Sequence, residues 1–164
     1  MKAIRIGLLL AMVVAVAAFV VAEDKPWFDL KNCEMCKGMV AQEGLMENMT
    51  WDHYLTKNGM MSVTTIADGY KEKFEASHKT MMETVEKLKA GEEMYLCGFC
   101  TRHGELAQAG VNKEHFSTKA GKVSLMTSTD EKIVAEIHTF AQKTIDELVK
   151  MAAVEGDSEE SKTD

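Results

Sequence analysis

Proline is nearly missing from this chain: among 164 residues only Pro26 is one. A thioredoxin-like thiol enzyme sets a proline loop beside its Cys pair within a βαβ pattern. Pro26 precedes both Cys pairs of this sequence, so that loop is not supplied. Positive charge is also short. Lys and Arg number 19 against 26 Asp and Glu, for a net charge of −7. No basic stripe with interleaved aromatics interrupts the acidic balance, so phosphate backbones are repelled and nucleic acid is excluded as a partner. A phosphate-binding Gly loop, a nucleophile elbow, paired catalytic carboxylates and His-Glu-x-x-His are all lacking. No motif proposes a reaction other than thiol exchange. Lys37 and Thr101, not His, follow the two Cys pairs, which argues against covalent haem attachment.

What the chain does have is two Cys-x-x-Cys pairs, Cys33/Cys36 and Cys97/Cys100, each opening a segment that resembles the other. His53, Thr56, Lys57, Gly59, Ser62, Thr65 and Asp68 match His115, Thr118, Lys119, Gly121, Ser124, Thr127 and Asp130 at an offset of 62. The Cys pairs match at an offset of 64. This pattern predicts an internally duplicated CxxC–hairpin–helix unit, with repeats over about 33–89 and 97–151 of a single domain, 33–154.

Within each repeat two short β-rich runs flank a turn. Asn58-Gly59 suits the positive φ of a type I′ turn, which would pair Tyr54 with Val63 and His53 with Thr64. Phe116 would pair with Leu125 and His115 with Met126. One face of each hairpin is then apolar (Tyr54, Met61, Val63; Phe116, Val123, Leu125), and the other carries the histidine. Helical spacing follows, through Phe74, His78, Met81, Met82, Val85 and Leu88, and through Val134, His138, Ala141, Ile145 and Leu148. Asp68 and Asp130 stand at N-cap positions, and Ser128-x-x-Glu131 reads as a capping box. One hairpin cannot close a core alone. The expected fold is α+β: an antiparallel sheet of four or more strands, two long helices covering its apolar face, and pseudo-twofold symmetry.

The ends read differently. Lys2 and Arg5, the uncharged run Ile6–Val21 and the small residues before Glu23 predict a cleaved signal peptide over 1–22. The expected location is periplasmic or extracellular, with no membrane association after cleavage. Residues 23–32 form a lead whose Trp27, Phe28 and Leu30 suit an edge strand or a packing arm. Residues 155–164 are acidic and lack large apolar side chains, the composition of a disordered tail.

Two Cys-x-x-Cys pairs supply the four soft donors of a tetrahedral zinc site. If the halves do not converge, each could instead use its own pair plus His53 or His115. His103, one helical turn past Cys100, is a further candidate ligand, with Met39 at its place in the first repeat. His78 and His138 lie on apolar helix faces and read as core residues. Zn(II) is the first expectation. Cu(I) is the second, because Met35, Met39, Met46 and Met49 offer thioethers close to the thiolates. Two rivals stand beside metal binding: a thiol–disulfide oxidoreductase attacking through Cys33 or Cys97, and a disulfide-stapled interaction domain. No protein partner is specified, and a homodimer is compatible with the pattern.

Overall fold

The computed structural model describes residues 25–160, with side chains through residue 153. The expected signal peptide lies outside the described residues. The elements run α1 Lys37–Val40, a 3-10 turn Met46–Asn48, β1 Met49–Thr56, β2 Gly59–Ile66, α2 Lys71–Lys89, α3 Gly98–Gln108, β3 Asn112–Ser117, β4 Gly121–Thr127 and α4 Glu131–Glu160. The fold is α+β. Two hairpins join through β2 and β4 into one antiparallel sheet of order β1-β2-β4-β3. No helix among the described residues is long and apolar enough to cross a membrane.

The hairpin register differs from expectation by two residues. His53 pairs with Ser62 and Tyr54 with Met61, while His115 pairs with Ser124 and Phe116 with Val123. The tight turns are Lys57–Asn58 and Lys119–Ala120, and no described residue other than glycine has positive φ. Asn58-Gly59 therefore does not form a type I′ turn. Gly59 and Gly121 already belong to strands, at φ +154° and +155°. Their task lies at the seam between the hairpins. A Cβ on Gly59 would sit 2.0 Å from the Met126 carbonyl oxygen, and one on Gly121 2.0 Å from that of Thr64. Gly121→Ala is therefore expected to cost about 3 kcal/mol in urea unfolding, because backbone must move to admit the methyl. Gly104→Ala, in α3 with open space around it, is expected to stabilise by about 0.5–1 kcal/mol. Equal effects at the two sites would contradict this role for the seam.

The helices also cover the other face. Met60 and Met126 are buried with Leu106 of α3 and Ile137, Phe140 and Ala141 of α4. Leu45, Ile66 and Phe74 form a second cluster beside Met49 and Tyr70. All these strand residues share a face with His53 and His115, by the register. Among the described residues, no helix packs on the face with Tyr54, Met61, Val63, Phe116, Val123 and Leu125. His53 Nδ1 lies 2.8 Å from Ser62 Oγ, and His115 Nδ1 2.9 Å from Ser124 Oγ. His53 is buried against Trp51 with its Nε2 left without a protein partner among the described residues, while His115 on the edge strand β3 stays exposed.

Capping is half as expected. The Asp130 carboxylate accepts the Lys132 N–H at 2.8 Å and caps α4. Asp68 pairs instead with Lys71, and α2 starts after Tyr70 without a side-chain cap. On α2, Phe74, Ser77 and Thr84 are buried, and Met82 points outward. Ser77 and Thr84 donate to their own helix carbonyls. Their small size lets Gly38 of α1 approach Ser77 and Thr80. That approach sets the first Cys pair against α2. The last turns of α4 run through residues 155–160 of the acidic segment.

Candidate metal centre

Each Cys pair is held by a tight backbone turn. Cys33 closes its own: the N–H groups of Cys36 and Lys37 both donate to its carbonyl, at 3.0 and 2.9 Å. Cys97 is the N-cap residue of α3, in extended conformation, and accepts the Thr101 N–H at 2.9 Å. The loops are tied together by the Glu34 N–H, which donates to the Tyr95 carbonyl at 3.1 Å. The lead segment is a packing arm and not a strand. Its Pro26 and Trp27 carbonyls accept the N–H groups of Gly98 and Phe99. Gly98 makes room for this arm, since a Cβ there would stand 3.2 Å from the Trp27 ring and 3.3 Å from its Cα.

The four sulfurs converge, all within 4.8 Å of one another. Cys36 Sγ is 3.9 Å from that of Cys97 and 3.4 Å from that of Cys100. All four cysteines are free, so the disulfide-stapled reading does not describe this arrangement. Four sulfurs about 2.3 Å from a tetrahedral ion would be about 3.8 Å apart, close to the spacing found. Cys33 and Cys97 are fully buried and Cys36 is nearly so, while Cys100 is partly accessible. Leu30, Met35, Met39, Leu96 and Phe99 pack around them. The cluster is thus an oxygen-free, sulfur-only donor set in an apolar shell, compatible with a metal ion.

The protons are unevenly shared. Hydrogen bonding from Cys100, then from Cys36 and Cys97, pulls the Cys33 thiol far down. Hydrogen bonding from Cys100 brings Cys97 to about 6. The α3 N-terminus adds its partial positive charge there. Donation toward Cys33, Cys36 and Cys97, together with burial, drives Cys100 up. Cys36 receives a bond from Cys100, but donating to Cys33 and Cys97 and its burial push it up as well. Hydrogen bonding thus favours the thiolate at Cys33 and Cys97 and the thiol at Cys36 and Cys100. Four thiolates this close need a cation.

The histidines lie elsewhere. Among the described residues the ligand group holds only the four cysteines. His53 and His115 face their serines across the sheet. His103 stacks on Phe99, with Lys113 Nζ 3.3 Å from its Nε2. His53 and His115 sit on β1 and β3 and His103 in α3, and none of the three belongs to the group of converging donors. Burial lowers His53 and His103 to about 4 each. His138 Nε2 bonds the Thr56 carbonyl at 2.9 Å, a structural role. Of the methionines, Met35 and Met39 reach the sulfur shell and Met49 packs with Leu45 and Ile66.

What the sequence reading missed is the aromatic support. Phe99, inside the second Cys pair, contacts Trp27, Phe28, Trp51 and Phe140 at centroid distances of 5.0–6.1 Å. It joins the sulfur shell to the main core. The signal available was the placement of three large aromatics beside the Cys pairs: Trp27 and Phe28 just before the first, Phe99 within the second. Phe99→Ala is expected to cost about 3–4 kcal/mol and to weaken metal retention, measured by thermal unfolding and by metal competition with a chelator. Unchanged retention would separate the core from the site.

No family model matches the chain, and neither does any curated protein or solved structure.

Proposed function

We propose that this protein is an exported, non-catalytic metal-binding protein whose two Cys-x-x-Cys pairs hold one Zn(II) between two copies of a duplicated unit. The convergence of four sulfurs within 4.8 Å carries the reading. Two loops distant in sequence meet there, as a single shared site requires and two separate sites do not. The duplication is supported by the row His53, Ser62, Ser124, His115, which crosses all four strands with equivalent positions mirrored about the β2–β4 seam. The helices after the two pairs differ, with four residues in α1 and 11 in α3. The copies have therefore diverged most around the sulfurs. Export rests on the N-terminal pattern of charge, apolar run and small residues.

Four thiolates give Zn(II) a closed coordination shell, so the site is structural or storing and activates no water. Cu(I) is the second ion, favoured by the packing of Met35 and Met39 on the sulfurs. Elemental analysis of protein purified from its native compartment tests the reading. One zinc per chain is expected. Stoichiometric copper would exchange the ion and keep the site, and absence of any metal would overturn it.

A proton count gives a second check. Zinc binding should release protons near pH 7, because Cys36 and Cys100, held as thiols by burial and by donation to their neighbours, must ionise. Calorimetry in buffers of different ionisation enthalpy measures this. Release near zero would contradict a four-thiolate shell.

Thiol–disulfide exchange is the alternative, favoured by the Cys97 thiol at about 6 on a helix N-terminus. An insulin-reduction rate above buffer, from metal-free protein, would support it.

A further inference from the structure

The sheet face on which no described helix packs is a feature that a metal centre leaves unexplained. Two neighbouring rows cross it: Tyr54, Met61, Leu125, Glu114, then Asp52, Val63, Val123, Phe116. Tyr54 is 50% exposed and Phe116 48%. No Lys or Arg stands on this face of any strand. Met61, Val63, Val123 and Leu125 of the two central strands form a contiguous apolar centre, and a patch of this kind marks an interaction surface.

We propose that this face is the interface of a twofold dimer, with a second copy of the chain as its occupant. Size is the first argument. Four strands about 4.8 Å apart, each contributing about seven residues, give a patch of about 19 by 20 Å. That footprint is about 380 Å², roughly half of the ~800 Å² per partner that a standard interface buries, before the relief of its side chains is counted. Charge placement is the second. The aromatics Tyr54 and Phe116 occupy two opposite corners of the rows, and the carboxylates Asp52 and Glu114 the other two.

Two sheets packing face to face with nearly aligned strands are related by an axis lying between them. If that axis runs along the strands, Tyr54 lies over Glu114 of the partner subunit and Phe116 over Asp52 of the partner subunit. If it runs across them, Tyr54 lies over Asp52 of the partner subunit and Phe116 over Glu114 of the partner subunit. Either way each carboxylate meets an aromatic corner and no carboxylate meets another. The Tyr54 O–H can then donate to a carboxylate oxygen. The apolar centre of Met61, Val63, Val123 and Leu125 meets itself.

Sedimentation velocity of the metal-loaded chain over a wide concentration range tests the proposal. The wild type should run at twice the chain mass. Val63→Lys, which puts a cation at the centre of the patch, should run as a monomer with its metal content unchanged. A soluble nitroxide gives a readout that needs no variant: in the wild type it should leave the Val63, Val123 and Leu125 methyl resonances sharp and broaden those of Val149. A monomeric wild type at all concentrations would overturn the proposal. So would a Val63→Lys dimer, or broadened sheet methyls. If Val63→Lys loses its metal and fold, the nitroxide result decides alone. Co-purification of a different protein on this face, with the isolated chain monomeric, would also overturn the second copy as occupant. Loss of metal from a chain that still dimerises would count against the metal reading and leave this one standing.

Discussion

Cys33→Ser is expected to strip the protein of its metal and of most of its stability. Cys33 is fully buried, and its carbonyl closes the turn that presents Cys36. A serine hydroxyl there is a poor soft-metal ligand and leaves a polar group in an apolar shell. Structural zinc sites of this type supply on the order of 10 kcal/mol of folding free energy near pH 7. Whole domains are stable by only about 5–15 kcal/mol. Losing one of four ligands should therefore reduce bound metal well below one per chain after dialysis. It should also replace a cooperative thermal transition by a broad or absent one. His78→Gln, on a half-buried helix position stacked against Phe74, should change stability by about 1 kcal/mol or less. If His78→Gln does more damage than Cys33→Ser, the sulfur-centred account fails.

Acid should unfold the domain earlier than its surface chemistry suggests. His53 and His103 are held near 4 by burial, well below the ordinary imidazole value of 6.5. The sign follows from which state takes the proton. Between pH 6.5 and 4 the unfolded chain binds protons at these imidazoles and the folded chain does not. Stability is therefore unaffected above about 6.5 and falls as pH drops toward 4. Each histidine contributes a slope of about 1.4 kcal/mol per pH unit in that window. Together they should remove on the order of 5 kcal/mol by pH 4. Proton competition for the thiolates adds to the loss in metal-loaded protein, so the measurement belongs on urea unfolding of metal-free and loaded samples alike. In His53→Asn the amide can still face Ser62, and the pH dependence should be roughly half as steep if the variant folds. A stability profile flat from pH 7 to 4 would mean that these imidazoles are hydrated or charged in the folded state.

The sulfur site was legible because Cys-x-x-Cys spacing is short-range chemistry: each pair names its own geometry. Convergence of the two pairs stayed open in the sequence, because 60 residues separate them and the matched order of His, Thr-Lys, Gly and Asp downstream does not place one pair beside the other. The strands, their hairpin pairing and the long helices were legible as local periodicity. What sequence could not give was the seam. Gly59 and Gly121 read as turn residues, because only the joined sheet reveals the carbonyls of Met126 and Thr64 pressing on them. The covered face was misread for a related reason. A histidine counts as polar until its row partner is known, and Ser62 and Ser124 become partners only in the true register. The group of converging donors holds the four cysteines and none of the histidine candidates. Trp27 read as part of a strand or an arm, but its contact with Phe99 is a tertiary fact, made by an arm whose carbonyls bond Gly98 and Phe99.

X-ray absorption at the metal edge of protein isolated with its native metal tests the central claim most directly. The account predicts a single shell of four sulfurs at about 2.3 Å with no nitrogen or oxygen neighbour. A shell containing imidazole nitrogen, or sulfurs found paired as disulfides with no metal present, would contradict it.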